Sequence, residues 1–332
     1  MERLDRFMAR ANSAYYARHD PFADFTTAPE ITQVFGEILG LWAAIVWEQL
    51  GRPDPVLLAE AGPGRGTLMD DALRAISARA PDFHQALRLH FIEASPRLRA
   101  VQLQRFPQAL CHERAAELPS GPLIVLANEF LDALPVRQFV RRTEGWVERY
   151  VLGGRFVELP AAHEAPVTGA SAGEGEVVTG VVAEVCEPAL ALASLLGRRL
   201  ATAPGAALVL DYGPEQSAGG DSLQAIRNGR PADPLADPGS ADLTAHVDFD
   251  AFRRTAERAG AAAHGPLPQG LFLARLGLFQ RTDRLARGLP AARAGALIEA
   301  ARRLAEPDRM GRLFKALALC HPAAPVPPGF ES

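Results

Sequence analysis

Apolar positions in the first fifty residues recur at helical spacing. Leu4, Phe7 and Met8 predict a short amphipathic helix within residues 1–19. A polar stretch with Pro21 and Pro29 as breakers follows. Val34, Phe35, Ile38, Leu41, Trp42 and Ile45 then mark a helix starting near Ile31, ended by Gly51 to Pro55. From Val56 the pattern changes to short apolar runs at Val56–Glu60, Leu87–Ile92, Ala109–Cys111 (the weakest) and Leu123–Ala127. Helices are expected between them, from Leu68 to about Ala80 and from Pro96 to Phe106. Runs without in–out alternation suit parallel strands covered on both faces, the doubly wound α/β pattern.

Beyond Pro135 the pattern breaks. Gln138–Val140 and Trp146–Leu152 flank Thr143-Glu144-Gly145 and predict a β-hairpin. Residues 153–176, rich in Gly, Ala and Pro, read as an irregular insertion. Val185–Leu200 reads as helix and Ala206–Leu210 as a strand ending at Asp211. Residues 213–241 read as a long functional loop. Helices are expected at Asp250–Ala259 and Ala291–Leu304, and a last strand at Phe314–Leu319. The expected division is an N-terminal helical segment with a lid loop (1–50), a nucleotide-binding half (51–136), an inserted hairpin and helix (137–200), and the remaining sheet with the substrate loop and C-terminal helices (201–332).

Composition narrows the function classes. The chain has 332 residues, 48% hydrophobic and 22% charged, which suits a globular protein of about two domains. A net charge of −4 disfavours a duplex nucleic-acid binder. No apolar run approaches the ~20 residues of a membrane span, so no membrane insertion is expected. The charged start, MERLDRFMARANSAYY, lacks the apolar centre of a signal peptide, and a cytoplasmic location is the expectation. Three cysteines without CxxC spacing and eight histidines without an HxxxH pair give no metal pattern.

Glu60-Ala61-Gly62-Pro63-Gly64-Arg65-Gly66-Thr67 sits between a predicted strand and a predicted helix. Glycines there let the backbone turn sharply and approach a ligand, although a tight structural turn reads the same way. Glu93, closing the next strand, is an acid placed to accept both hydroxyls of a ribose. Thr67 stands where a dinucleotide fingerprint starting at Gly62 needs glycine, and no Gly-Lys-Ser/Thr follows to make a P-loop. The acid-led GxGxG loop resembles the S-adenosylmethionine loop of class I methyltransferases. Asn128-Glu129-Phe130-Leu131-Asp132-Ala133-Leu134-Pro135 follows the fourth strand, where open α/β sheets bind ligands. The bland alternative is that Asn128 caps a helix and Asp132 faces water. Trp42, Trp47 and Trp146 could form a base-stacking set, but Trp42 and Trp47, five apart on one predicted helix, read as packing residues; Arg141-Arg142 read as a solvated face, with docking of an acidic partner as the alternative.

Taken together, DFTTAPEITQVFGEILGLW (24–42), EAGPGRGTL (60–68), FIEASP (91–96), LANEFLDALPV (126–136), LVLDYG (208–213), DPLADPGSADLTAHVDF (233–249) and QGLFLARLG (269–277) resemble the MidA family. These are methyltransferases associated with respiratory complex I assembly. The resemblance implies a Rossmann-like class I fold, its sheet completed by a strand near Leu317, with S-adenosyl-L-methionine as donor and S-adenosyl-L-homocysteine as product. Mitochondrial members imply a protein acceptor, an arginine on a complex I core subunit. Where the family carries a glycine-rich spacer, Asp20-Pro21-Phe22 runs almost directly into Ala23-Asp24-Phe25, shortening the loop over 20–26.

An arginine acceptor needs carboxylates to grip its guanidinium. Glu129 is the first candidate and Asp132 the second, with Asn128 orienting the loop or binding the donor's amino-acid end. Glu60, Gly62, Pro63, Gly64, Gly66, Thr67 and Glu93 form the expected donor site, and Thr27, Glu30 and Gln33 its lid or entrance. Two alternatives stay open: a donor-binding assembly chaperone without essential catalysis, and a small-molecule O- or N-methyltransferase. Oligomeric state is not encoded in any of these motifs.

Overall fold

Seven strands build the larger sheet: β1 (Val56–Ala61), β2 (Leu87–Ile92), β3 (Leu110–His112), β4 (Leu123–Asn128), β5 (Gly205–Tyr212), β6 (Ala262–Pro268) and β7 (Phe314–Cys320). Their order is β6-β7-β5-β4-β1-β2-β3. Parallel pairing joins β1 to β2 and β4, β2 to β3, and β4 to β5. β7 lies between β5 and β6 and runs antiparallel to both, with Leu317 opposite Val209. The chain starts mid-sheet, moves outward through β2 and β3, then returns to β4 on the other flank of β1. That switch point opens a crevice at the carboxyl ends of β1 and β4. A doubly wound sheet with an antiparallel seventh strand inserted beside the fifth is the class I methyltransferase arrangement. The expected fold class holds, with the C-terminal strand at Leu317 making the sheet mixed.

The computed structural model describes residues 1–19, 26–161 and 179–331. Within them the chain divides into two units. The first to be described comprises Thr26–Phe130, Ser194–Tyr212 and Thr255–Ser332, and it carries the seven-stranded sheet. β1 and β4 are buried along their whole length, as continuous apolar runs require. Alternation sends Val56, Leu58, Ile124, Leu126 and Leu208 into one core with residues of α1 (Gln33–Gln49) and α2 (Thr67–Arg79). Trp42 and Trp47 belong to that core, and their indole N–H groups donate to Pro328 O (3.1 Å) and Pro53 O (2.9 Å). They are packing residues, as expected.

The helix expected from Ile31 is two segments. Ala28–Ile31 forms a short turn of helix, and Thr32 (φ −159°) breaks it before α1. Thr32 Oγ1 accepts from Val34 N–H (3.3 Å), so an N-cap side chain fixes the restart. α3 (Pro96–Arg105) ends one residue short of expectation. β6 is a strand the pattern did not predict, because Gly265-Pro266 reads as a turn; a register irregularity between His264 and Leu267 accommodates it.

The second unit comprises Met1–Phe25, Leu131–Ala193 and Gly213–Arg254. The N-terminal helix runs over Leu4–Arg18, longer than the apolar triplet suggested. Buried Asn12 ties it to this unit: Nδ2 donates to Ala133 O (3.0 Å) and Leu243 O (2.8 Å), and Oδ1 accepts from Leu243 N–H (3.0 Å). The expected hairpin forms from Arg137–Arg142 and Gly145–Leu152. Three expectations are corrected here. Arg155–Pro160 is a strand paired to Gly145–Leu152, where an irregular insertion was expected. Val182–Val185 is a strand against Arg137–Arg142, so the helix starts at Glu187 and not at Val185. The long loop over 213–241 contains a hairpin, Gln224–Arg227 with Arg230–Ala232, whose first strand also pairs with Asp242–Thr244. Its two-residue turn is Asn228-Gly229, both at positive φ (53° and 69°), the backbone that primed hairpin turns demand. Arg142 forms an ion pair with Glu158, and Arg141 lies over the Trp146 ring.

Residues 20–25 of the shortened loop and residues 162–176 of the expected insertion lie outside the described residues. Among the described residues no helix is long and apolar enough to cross a membrane, and no group of three metal-ligating side chains occurs.

Candidate functional site

The glycine loop grows directly out of β1. Gly62 N–H donates to Ile92 O (2.9 Å), extending the β1–β2 ladder by one rung before the chain turns. Gly62 and Gly66 then adopt φ +66° and +78°, a left-handed backbone that side chains oppose. Space forbids a side chain too: a Cβ at Gly62 would stand 2.7 Å from Phe130 Cδ2, and one at Gly66 2.6 Å from Phe106 Cε2. Gly66 N–H closes the turn on Pro63 O (2.7 Å), and Gly66 serves as N-cap of α2. The open N–H groups at the start of a helix favour an anionic ligand group.

Two acids bracket this loop. Glu60 lies at the end of β1 on the same face as Leu58, 3% exposed, and its Oε2 has no hydrogen-bond partner among the described residues. Burial alone pushes its carboxyl up to about 8. Glu93 follows β2. Its Oε1 accepts from Ser95 N–H (2.8 Å) and its Oε2 from Gln102 Nε2 (3.3 Å). Burial raises its pKa, while Ser95 N–H and the Gln102 amide pull the other way.

The segment after β4 closes the same end of the sheet. Asn128 pairs with Leu210 of β5, and its Oδ1 is buried without a partner among the described residues. Glu129 takes φ +48°, an uncommon left-handed position for a side-chain-bearing residue. Its N–H donates to Leu210 O (2.9 Å), and the next N–H, of Phe130, donates to Asp211 Oδ2 (3.1 Å). The end of β5 thus clamps this turn on both sides. Glu129 Oε1 accepts from Ala28 N–H (2.8 Å) and Asn128 Nδ2 (3.2 Å). Glu30 Oε1 accepts from Thr67 Oγ1 (2.6 Å). The TTAPE segment is therefore fastened to the glycine loop at one point and to Glu129 at another.

Asn128, Glu129, Glu30, Thr67, Glu60 and the glycines are brought together at one sheet end. The remaining predicted residues sit differently. Thr27 is the N-cap of Ala28–Ile31 through its carbonyl, which accepts from Glu30 N–H (2.9 Å). Gln33 is exposed, and its amide donates to Glu37 Oε1 (3.2 Å), a carboxylate that also binds Arg74 and Arg281. Asp132 belongs to the other unit and is 8% exposed, so it does not face water as the bland alternative held. Its carbonyl accepts from Ala245 N–H (2.9 Å). In that unit Tyr16 Oη donates to Asp242 Oδ1 (2.9 Å). Burial raises the Tyr16 phenol well above its usual value, with the charges of Asp242 and Asp132 adding to the effect. Gln102 was not found from sequence: it stands mid-helix in α3, outside every motif.

The site fits an adenosyl amino-acid cofactor on its own terms. Of seven buried side-chain polar atoms with no partner among the described residues, three (Glu60 Oε2, Gln102 Oε1 and Asn128 Oδ1) belong to residues beside the glycine loop or at the ends of β1 and β4. Unsatisfied buried acceptors are costly, so their gathering at one place marks where a ligand's donors or ordered waters belong.

The family model described as "Putative S-adenosyl-L-methionine-dependent methyltransferase" matches residues 38–267. The chain is 32% identical over 365 residues to the Drosophila melanogaster "Protein arginine methyltransferase NDUFAF7 homolog, mitochondrial", covering 96% of this chain and 80% of that protein. It is 32% identical over 355 residues to the Homo sapiens "Protein arginine methyltransferase NDUFAF7, mitochondrial", covering 96% of this chain and 79% of that one. A Burkholderia thailandensis crystal structure described as a "likely methyl transferase", bound to S-adenosyl-homocysteine, superposes with a TM-score of 0.78 at 25% identity, over 99% of this chain and 88% of that one. The matched region holds the glycine loop, Glu93 and the turn after β4. With its strand order, its acid-led loop and these relatives, the chain belongs to the S-adenosyl-L-methionine-dependent methyltransferase family, an enzyme with that sulfonium as its cofactor.

Proposed function

We propose that this methyltransferase modifies an arginine side chain of a protein acceptor, with a respiratory complex I type subunit as the candidate target. The supporting observation is the extent of likeness to proteins named protein arginine methyltransferases: about a third identity over four-fifths of their length. A complex I target rests on the family resemblance of the motifs alone.

When bound, S-adenosylmethionine supplies a methyl group made electrophilic by its sulfonium. The chain's share is to hold donor and acceptor in line, where positioning contributes most. In this assignment the glycine loop and the N-terminus of α2 receive the donor's amino-acid end, with Glu60 and Asn128 beside it, and Glu93 accepts the ribose hydroxyls. A guanidinium in water stays protonated below a pH of ~12. Glu129 is assigned to hold it. As the nitrogen–methyl bond forms, the sulfur–methyl bond breaks and its electrons stay on sulfur. The acceptor nitrogen then gives up a proton to solvent.

Glu129→Gln tests the assignment. Gln keeps an Oε1 able to accept from Ala28 N–H, so the TTAPE segment stays fastened, while the charge that offsets a guanidinium is lost. Methyl transfer is expected to fall ~100-fold, about 3 kcal/mol at the transition state, with donor affinity within a few-fold of the parent. Unchanged turnover would remove Glu129 from the reaction.

A further inference from the structure

α3 touches the donor site along its whole length. At its start Ser95 N–H holds Glu93 Oε1 (2.8 Å), and Arg99 Nη1 holds the Glu93 carbonyl (3.0 Å). At its end Arg105 Nη1 donates to Arg65 O (3.2 Å), and the Phe106 ring fills the space that Gly66 leaves. Gln102 lies between, seven residues after Ser95 and so on the same helix face. Its side chain is fully buried, where a leucine of similar volume would pack without the cost of an amide. The amide has a defined task. Nε2 donates at once to Gly64 O (2.9 Å), inside the glycine loop, and to Glu93 Oε2 (3.3 Å). Both partners are acceptors, which fixes the amide's orientation. Oε1 is left buried with no partner among the described residues, an open acceptor beside the acid.

We propose that Gln102 is a positioning residue for the donor: by tying the Glu93 carboxylate to the Gly64 carbonyl it sets that carboxylate for the ribose hydroxyls. A carboxylate able to rotate freely would have to be ordered at each binding event, and prior ordering is a direct gain in affinity. The inference rests on the assignment of Glu93 to the ribose.

The test is calorimetric binding of S-adenosylhomocysteine and of its 2′,3′-dideoxyribose analogue to the full chain. Gln102→Leu is expected to weaken the first at least 10-fold and the second less than 3-fold. In a Glu93→Ala background the same substitution should cost less than 3-fold for either ligand. Gln102→Met, which keeps length and volume, carries the comparison if the leucine variant does not fold. Equal losses for both ligands would show a purely structural role and overturn the proposal, as would parental affinity for S-adenosylhomocysteine. Parental affinity in Glu93→Ala would instead overturn the ribose assignment and this inference with it.

Discussion

Two acids at the glycine loop make opposite demands. Glu93 is held by a backbone N–H and an amide, ready to accept. On the proposed assignment of Glu93 to the ribose, Glu93→Ala removes charge-assisted hydrogen bonds and is expected to cost about 2–4 kcal/mol of S-adenosylhomocysteine affinity, ~30- to 1,000-fold. Parental affinity in calorimetry would make Glu93 an ordinary acid. Among the described residues no cation offsets buried Glu60, and burial pushes its carboxyl up to about 8. The unfolded chain releases that proton near a pH of ~4.5, so between ~4.5 and ~8 the folded state binds the extra proton and folding weakens as pH rises. The loss saturates above ~8 at no more than ~5 kcal/mol. Glu60→Gln lacks this dependence. Urea unfolding from pH 5 to 9 should show the variant gaining on the parent as pH rises, and a constant difference would contradict the account. Both acids were legible in the sequence: Glu60 ends an apolar run just ahead of the glycine loop, and Glu93 closes the next strand. Gln102 was not, since a polar residue within a helix looks solvent-facing until the glycine loop is folded against it.

At the scale of elements, the loop between β1 and α2 is fixed from outside by other segments. Phe130 packs where Gly62 has no side chain, and its own N–H is held by Asp211. Gly62→Val would need a β-branched residue at φ +66° and would push Phe130 away from the loop. The expected result is loss of S-adenosylhomocysteine binding by at least 100-fold with a lowered melting temperature, read by calorimetry and thermal denaturation. Parental values of both would place the donor elsewhere. The strands β1, β4 and β5 could be read from sequence because burial on both faces writes them as near-continuous apolar runs, and β2 because Leu87, Leu89, Phe91 and Ile92 outweigh Arg88 and His90. β6 and Arg155–Pro160 could not. β6 contains Gly265-Pro266, which reads as a turn, and Arg155–Pro160 follows Gly153-Gly154 and is half exposed, so neither carries a continuous apolar signal. Asn228-Gly229 did carry a hairpin signal. It was obscured by the Gly, Pro and Asp that surround it over 213–241.

For the whole molecule, motif order carried the information that local pattern lacked. Hydrophobic runs predict an α/β sheet with a nucleotide site, a description that fits many chemistries. TTAPE, NEFLDALP and SADLTAHVDF narrow it to one family, and the fold shows physical reasons for the first two. Ala28 and Glu30 fasten TTAPE to Glu129 and Thr67, so the segments around the donor loop depend on one another's side chains. What no local pattern reveals is the acceptor, because a donor-site loop is the same whatever receives the methyl group. The most direct measurement is therefore transfer itself. The protein is incubated with isotopically labelled S-adenosylmethionine and a membrane extract containing complex I, and the modified peptides are identified by mass spectrometry. The account predicts label on an arginine of a protein subunit, reduced ~100-fold with Glu129→Gln. Tight S-adenosylhomocysteine binding with no label on any arginine would contradict it.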